Sequence, residues 1–235
     1  MLLLTPVVII ASFFGKVTGG NIIYNTCRLW AGTWMFLIGI YQKNIFESPH
    51  DFSAQYIFVS NHISYMDIPV MMKAIRKQNF RALGKAELGK IPVFGFIFRQ
   101  AAVSVDRKSP ENRAKSVLTL KSIIKRRISV FIFPEGTFNE THMPLKEFYD
   151  GAFKIAIETQ TPIKPVLFLD TYDRMNYKSI FSLSPGKSRA VFLKETDTSN
   201  LTTGDVSFLK EKIYKQMEDG LRRYNASWIK NDSTS

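Results

Sequence analysis

Residues 56–69 read YIFVSNHISYMDIP, and this stretch decides the fold class. A short apolar run rich in β-branched and aromatic side chains passes directly into a polar turn, the pattern of a buried strand ending at a loop. A helix is expected to begin near Asp67, with Pro69 tolerated in its first turn. The same alternation continues outward. FRAL (80–83), AAVSV (101–105), SVFIF (129–133), IKPVLF (163–168) and AVFL (190–193) read as further strands. Residues 110–126 follow Ser109-Pro110 and place Ala114, Val117, Leu120 and Ile124 at helical spacing. Val206, Leu209, Ile213, Met217 and Leu221 form one apolar stripe, read as the packing face of a C-terminal helix. Strands alternating with helices predict a three-layer α/β domain with a largely parallel sheet over residues 46–228. Residues 229–235 read as a tail.

The chain has 235 residues, 45 % of them apolar, enough for one good-sized core. Its formal charge of +12, from 32 basic and 20 acidic side chains, favours anionic partners. A single cysteine, Cys27, excludes an internal disulfide and a cysteine-rich zinc site, and points to a reducing cytoplasmic setting. His50, His62 and His142 show no metal-ligand spacing. Residues 1–45 differ from the rest. Residues 1–14 and 29–41 are uncharged, and Gly19-Gly20 lies between them. Each run is shorter than the roughly 20 residues that span hydrocarbon, and no basic residues precede the first as they would in a signal peptide. With Trp30 and Trp34 suited to a lipid interface, a helical hairpin dipped into one leaflet is expected, ahead of a pair of ordinary core helices. A chain opening directly in an apolar run is compatible with further residues upstream.

Candidate chemistry starts at the end of the first quoted strand, where α/β proteins place their sites. On a continuous helix His62 and Asp67 would lie about 140° apart. A tight turn between them lets the carboxylate reach one imidazole nitrogen, fix the tautomer and stabilise the imidazolium. Alone, the pair reads equally as a loop histidine and an N-cap. Farther on, SVFIF ends in Pro134-Glu135-Gly136-Thr137, where glycine admits a ligand and exposed amides with the Thr hydroxyl suit an anion. Between them run Gly84-Lys85 and residues 86–95, then Arg99 and Asp106-Arg107-Lys108. Lys85, Lys90, Arg99 and Arg107 are cations able to converge on a phosphate, Arg107 foremost. Phe94, Phe96, Ile97 and Phe98 read as an apolar rim.

These segments together resemble the 1-acylglycerol-3-phosphate (lysophosphatidic acid) acyltransferases of the glycerolipid acyltransferase superfamily. The block N-H-x-x-x-x-D is matched by Asn61, His62 and Asp67. G-x-x-P-x-x-G with a following D-R is matched by Gly89, Pro92, Gly95, Asp106 and Arg107, and F-P-E-G-T by residues 133–137. A fourth, proline-containing strand is met loosely by residues 161–166. Phe138 stands where many members carry arginine, and Ser104-Val105 replaces the usual residues before D-R, which loosens the choice of head group. The resemblance implies the glycerolipid acyltransferase fold, preceded by a membrane-associated two-helix element like that of bacterial members. It implies His62 as general base, Asp67 as its orienting partner, and Arg107 with Glu135, Gly136 and Thr137 at the glycerol phosphate, Lys85 being a weaker candidate. The donor implied is an acyl-CoA or acyl carrier protein thioester, the acceptor is lysophosphatidic acid in an anionic membrane, and no metal or cofactor is called for. The location implied is the cytoplasmic face of a membrane, as for a monotopic bacterial inner-membrane enzyme.

Three other readings compete. Glycerol-3-phosphate, a lysophospholipid or a lyso-aminolipid would satisfy the same blocks as acceptor. An inactive membrane scaffold would have no need of the His62–Asp67 pair. A nucleic-acid binder fits the charge, but its basic residues are spread along the chain without a recognisable recognition signature.

Overall fold

A computed structural model of the chain describes residues 2–105 and 109–229. Among the described residues seven strands make one sheet: β1 (Ile40–Phe46), β2 (Ile57–Ser60), β3 (Phe80–Lys85), β4 (Val103–Val105), β5 (Ser129–Ile132), β6 (Ile163–Phe168) and β7 (Gly186–Phe192). Their order is β1-β7-β6-β2-β5-β3-β4. The five strands from β6 to β4 are parallel, whereas β7 runs antiparallel to β6 and β1 parallel to β7. The expected largely parallel sheet is present, with an inverted pair at one edge.

Among the described residues eight α-helices accompany the sheet: α1 (Thr5–Ser12), α2 (Gly20–Leu37), α3 (Asp67–Ala74), α4 (Phe94–Ala101), α5 (Pro110–Lys125), α6 (Gly151–Thr159), α7 (Thr171–Arg174) and α8 (Val206–Arg223). Successive strand residues point to opposite faces, which divides the core into two layers. On one face Phe58, Phe80, Phe131, Phe168 and Phe192 pack against α1 to α4. On the other, Ile57, Val59, Val130, Leu167 and Val191 pack against α5, α6 and α8. The stripe Val206, Leu209, Ile213, Met217 and Leu221 is the buried side of α8.

The N-terminal segment departs from its expected outline. Residues 40–45, assigned above to the helical hairpin, belong to the sheet, because Gly39 ends the helix at φ +71° and β1 then pairs with β7 from Ile40 onward. The helical pair therefore stops at Leu37. Its turn is tight because Gly19 sits where a Cβ would lie 2.0 Å from the Ala11 carbonyl oxygen. Arg81 secures that turn from the sheet, donating to the Lys16 and Val17 carbonyls at 3.0 Å and to Asn21 Oδ1 at 2.9 Å. The reading of the pair as core helices holds for one face of α2. Ile23, Tyr24, Cys27, Ala31 and Met35 are core, while Leu29, Phe36 and Leu37 on the other side are exposed. Burying a large apolar side chain contributes about 1.5–3 kcal/mol, so this inner face makes α2 part of the fold and not a detachable anchor. No described helix is long and apolar enough to cross a membrane.

Candidate active site

The carboxyl ends of the parallel strands form one edge, and β2 delivers His62 to it two residues after Ser60. Asn61 stays buried and ties the strand end to β6: Phe168 N–H donates to its Oδ1 at 2.9 Å and its Nδ2 donates to the Phe168 carbonyl at 3.0 Å. The chain then turns, and α3 starts at Asp67 itself. The turn brings Asp67 Oδ2 to 2.8 Å from His62 Nδ1. The same oxygen accepts the Ile63 and Ser64 amides at 2.8 and 2.9 Å. Three donors hold the carboxylate in place at the start of α3. A carboxylate only accepts, so Nδ1 carries the proton and Nε2 is left with its lone pair. Among the described residues no group hydrogen-bonds Nε2. The Asp67 side chain is wholly buried and that of His62 is 18 % exposed.

Two aromatic rings fix the imidazole from its sides. Phe133 stacks on it with centroids 3.9 Å apart, and Phe138 leans over it at 4.4 Å. Tyr65 packs edge-on against Phe138. Phe138, which replaces the arginine common in the resembled family, is thus a wall of the site.

Glu135 does not lie where a substrate-binding residue was expected. It is 2 % exposed, accepting His62 N–H at 2.8 Å on one oxygen and Lys146 N–H at 2.9 Å on the other. A carboxyl so enclosed cannot meet a phosphate. Its work is positional: it clamps the backbone of His62 to the turn after β5. The Asn139 amide adds a second tie, donating to the His62 carbonyl at 2.7 Å. Burial pushes the Glu135 carboxyl up to about 8, the two amides and Lys146 pulling the other way and Asp67 adding to the rise.

The remaining candidates separate. Gly136 adopts φ +71° to make the turn, and its own amide is taken by the Phe133 carbonyl at 3.0 Å. Thr137 is half-buried beside it, its hydroxyl uncommitted to any described residue. Lys85 ends β3 at the same sheet edge, two strands from β2, and is exposed. Arg107, with Asp106, lies outside the described residues. Arg99 donates to the Gly89 carbonyl and borders a cleft between α4 and α5 that Lys16, Arg81, Lys115 and Arg126 also line. Ile97 and Phe98 are core residues, so the anticipated apolar rim shrinks to the half-buried Phe94 and Phe96. Lys146 was not anticipated; its Nζ stands 3.5 Å from the Phe138 carbonyl, beside the mouth. Nothing local marks it, since it sits eleven residues beyond Glu135 in an irregular loop.

The family model described as Acyltransferase matches residues 40–169, which include every element of this site. The chain belongs to the acyltransferase family. Among its relatives, the 1-acyl-sn-glycerol-3-phosphate acyltransferase of Saccharomyces cerevisiae is 27 % identical over 215 residues, covering 90 % of this chain and 67 % of that protein. A putative enzyme of the same name, acl-2 of Caenorhabditis elegans, is 31 % identical over 77 % of this chain and 62 % of its own. The Haemophilus influenzae enzyme of that name is 27 % identical over 80 % of this chain and 78 % of its own. The chain thus spans about two thirds of the length of the first two. The fold is that of the 1-acyl-sn-glycerophosphate (LPA) acyltransferase PlsC from Thermotoga maritima, with a TM-score of 0.70 at 22 % identity over 95 % of this acyltransferase and 89 % of that one.

Proposed function

We propose that this acyltransferase moves a fatty acyl group from a thioester to the sn-2 hydroxyl of 1-acylglycerol-3-phosphate, making phosphatidic acid for phospholipid synthesis. The observation that carries the reading is the 2.8 Å bond between His62 Nδ1 and the wholly buried Asp67 carboxylate, inside the family's own segment. His62 Nε2 takes the proton of the acceptor hydroxyl as its oxygen attacks the thioester carbonyl. The C–O bond forms, the tetrahedral adduct collapses with loss of the C–S bond, and the imidazolium returns its proton to the departing thiolate. Asp67 stabilises the imidazolium between the two steps. The chemistry is complete with these groups and the two substrates, so no metal or cofactor is invoked. Acyl-CoA and acyl carrier protein are both eligible donors. Thr137, Lys85 and Arg107 are assigned to the acceptor phosphate, joined by Lys146 on its position at the mouth.

Because the acceptor is a membrane lipid, the exposed apolar side of α1 and α2 is assigned to one leaflet. The protein is then monotopic, held on the cytoplasmic face by apolar insertion and by its +12 charge against anionic lipid.

The test is transfer of radiolabelled acyl chains, from acyl-CoA and from acyl carrier protein in parallel, onto a panel of acceptors in detergent. The panel holds lysophosphatidic acid, glycerol-3-phosphate, lysophosphatidylcholine and a lyso-aminolipid. Phosphatidic acid as the main product is expected. Transfer only to another acceptor would keep the chemistry and remove the assignment, and silence on all of them would leave a scaffold.

A further inference from the structure

The loop joining α7 to β7 exposes apolar side chains that folding alone does not explain. Ile180 is 60 % exposed and Phe181 89 %. The loop is nevertheless well built. Ser182 Oγ accepts the Asn176 amide at 2.9 Å and donates to the Ser179 carbonyl at 2.6 Å. Ser179 Oγ accepts the Phe181 amide at 3.0 Å, and Asn176 Oδ1 the Lys178 amide at 3.0 Å. These side-chain turns hold an Ile-Phe tip out from the protein, where water solvates it at a cost.

The position of the tip follows from topology. Phe168, near the carboxyl end of β6, pairs with Ala190, so β7 begins four residues farther out, beyond the edge that carries His62. Ile40 of β1 pairs with Gly186, which brings the C-terminal end of α2 to the same edge. The Gly186 amide donates to the Gly39 carbonyl at 2.9 Å, tying the loop's end to the residues that follow the exposed Phe36 and Leu37. On its other side the loop is bonded to the catalytic turn. Ser64 Oγ donates to the Met175 carbonyl, and Ser64 bridges to Asn176. Residues 174–187 carry Arg174, Lys178 and Lys187 and no acidic side chain, whereas Arg189 in β7 is paired with Asp170. Lys178 and Lys187 are exposed.

We propose that residues 176–185 are a second bilayer contact, inserting Ile180 and Phe181 into an anionic lipid surface beside α2 and so setting the His62 mouth on that surface. The inference rests on the membrane reading above and deepens it. An aromatic–aliphatic tip flanked by lysines matches the headgroup and acyl boundary, and its bonds to residues 64 and 39 leave it little freedom to settle elsewhere. The acceptor then reaches Nε2 by lateral diffusion without leaving the lipid.

The test places a probe at the tip of the full chain. Phe181→Cys is labelled with an environment-sensitive fluorophore, Cys27 being buried, and titrated with vesicles of phosphatidylcholine and phosphatidylglycerol. A blue shift with quenching by spin-labelled lipid is expected, and the unlabelled Ile180→Ser/Phe181→Ser chain should sediment with the same vesicles at least about tenfold more weakly. A fluorophore that stays water-like while the protein sediments with vesicles would overturn the loop contact and leave the α1–α2 contact standing. A parent chain that does not sediment with vesicles would overturn both. Acyl transfer in detergent reads the catalytic assignment separately.

Discussion

At the scale of single residues, Asp67 is the most constrained group in the site, since one of its oxygens accepts the imidazole and two amides. Asp67→Asn puts an amide where that oxygen stands in one orientation, and removes the charge opposite the imidazolium in either. Turnover is expected to fall by roughly 10²–10⁴-fold with little change in acceptor KM, as measured by steady-state kinetics. Unchanged turnover would detach the carboxylate from the chemistry. Glu135 makes a second prediction, about pH. Its folded value near 8 lies above the ordinary 4.5, so the folded state holds the proton more tightly than the unfolded chain. Such a group costs stability progressively as pH rises from about 4.5 to 8. Relative to Glu135→Gln, which cannot ionise, the parent should lose stability across that interval in denaturant unfolding. Parallel curves would mean that the carboxyl is not buried as described. Glu135 was illegible as a clamp because an acidic residue in a turn reads as surface. Its burial comes from a bond to an amide 73 residues away, which no local pattern carries. His62 and Asp67 became legible only together with the later blocks, because a histidine and an aspartate five residues apart read equally as a loop residue and an N-cap.

At the scale of elements, strands were read from short apolar runs, and each of β2 to β6 overlaps one, whereas the run 190–193 marks only the last three residues of β7. β1 escaped because its first residues complete an apolar run that begins inside α2. Only Gly39, which ends the helix, marks the change. The second family block shows how an element depends on one missing side chain. A Cβ at Gly95 would stand 2.3 Å from the Gly89 carbonyl oxygen, so α4 could not pack on the preceding turn. Gly95→Ala should cost about 1–3 kcal/mol in thermal unfolding. Gly151, with nothing within 4 Å of its would-be Cβ at the start of α6, is the control. Gly151→Ala should be neutral or add about 0.4–1 kcal/mol. Equal effects at the two positions would contradict this packing.

At the scale of the whole molecule, the carboxyl edge of the sheet carries His62, the C-terminal end of α2 and the Ile180–Phe181 tip, while exposed Phe13 and Phe14 lie at the α1–α2 turn that Arg81 holds. Length and charge marked residues 1–45 as unlike the rest, but only packing could end the helical pair at Leu37 and separate its buried side from its exposed one. Removing them would strip the core of α2, so surface substitutions are the cleaner probe. Leu29→Ser/Phe36→Ser/Leu37→Ser should melt within a few degrees of the parent and sediment less with anionic vesicles. Added salt should weaken binding to those vesicles far more than to neutral ones, because screening acts on the charge component alone. Binding indifferent to both the substitutions and salt would place the membrane contact elsewhere. The most direct measurement of the central claim is the rate of phosphatidic acid formation from a radiolabelled acyl donor and lysophosphatidic acid by purified parent and His62→Ala proteins with matched melting curves. A fall of roughly 10²–10⁴-fold in the variant is expected from loss of the general base. Equal rates would contradict the assignment of His62.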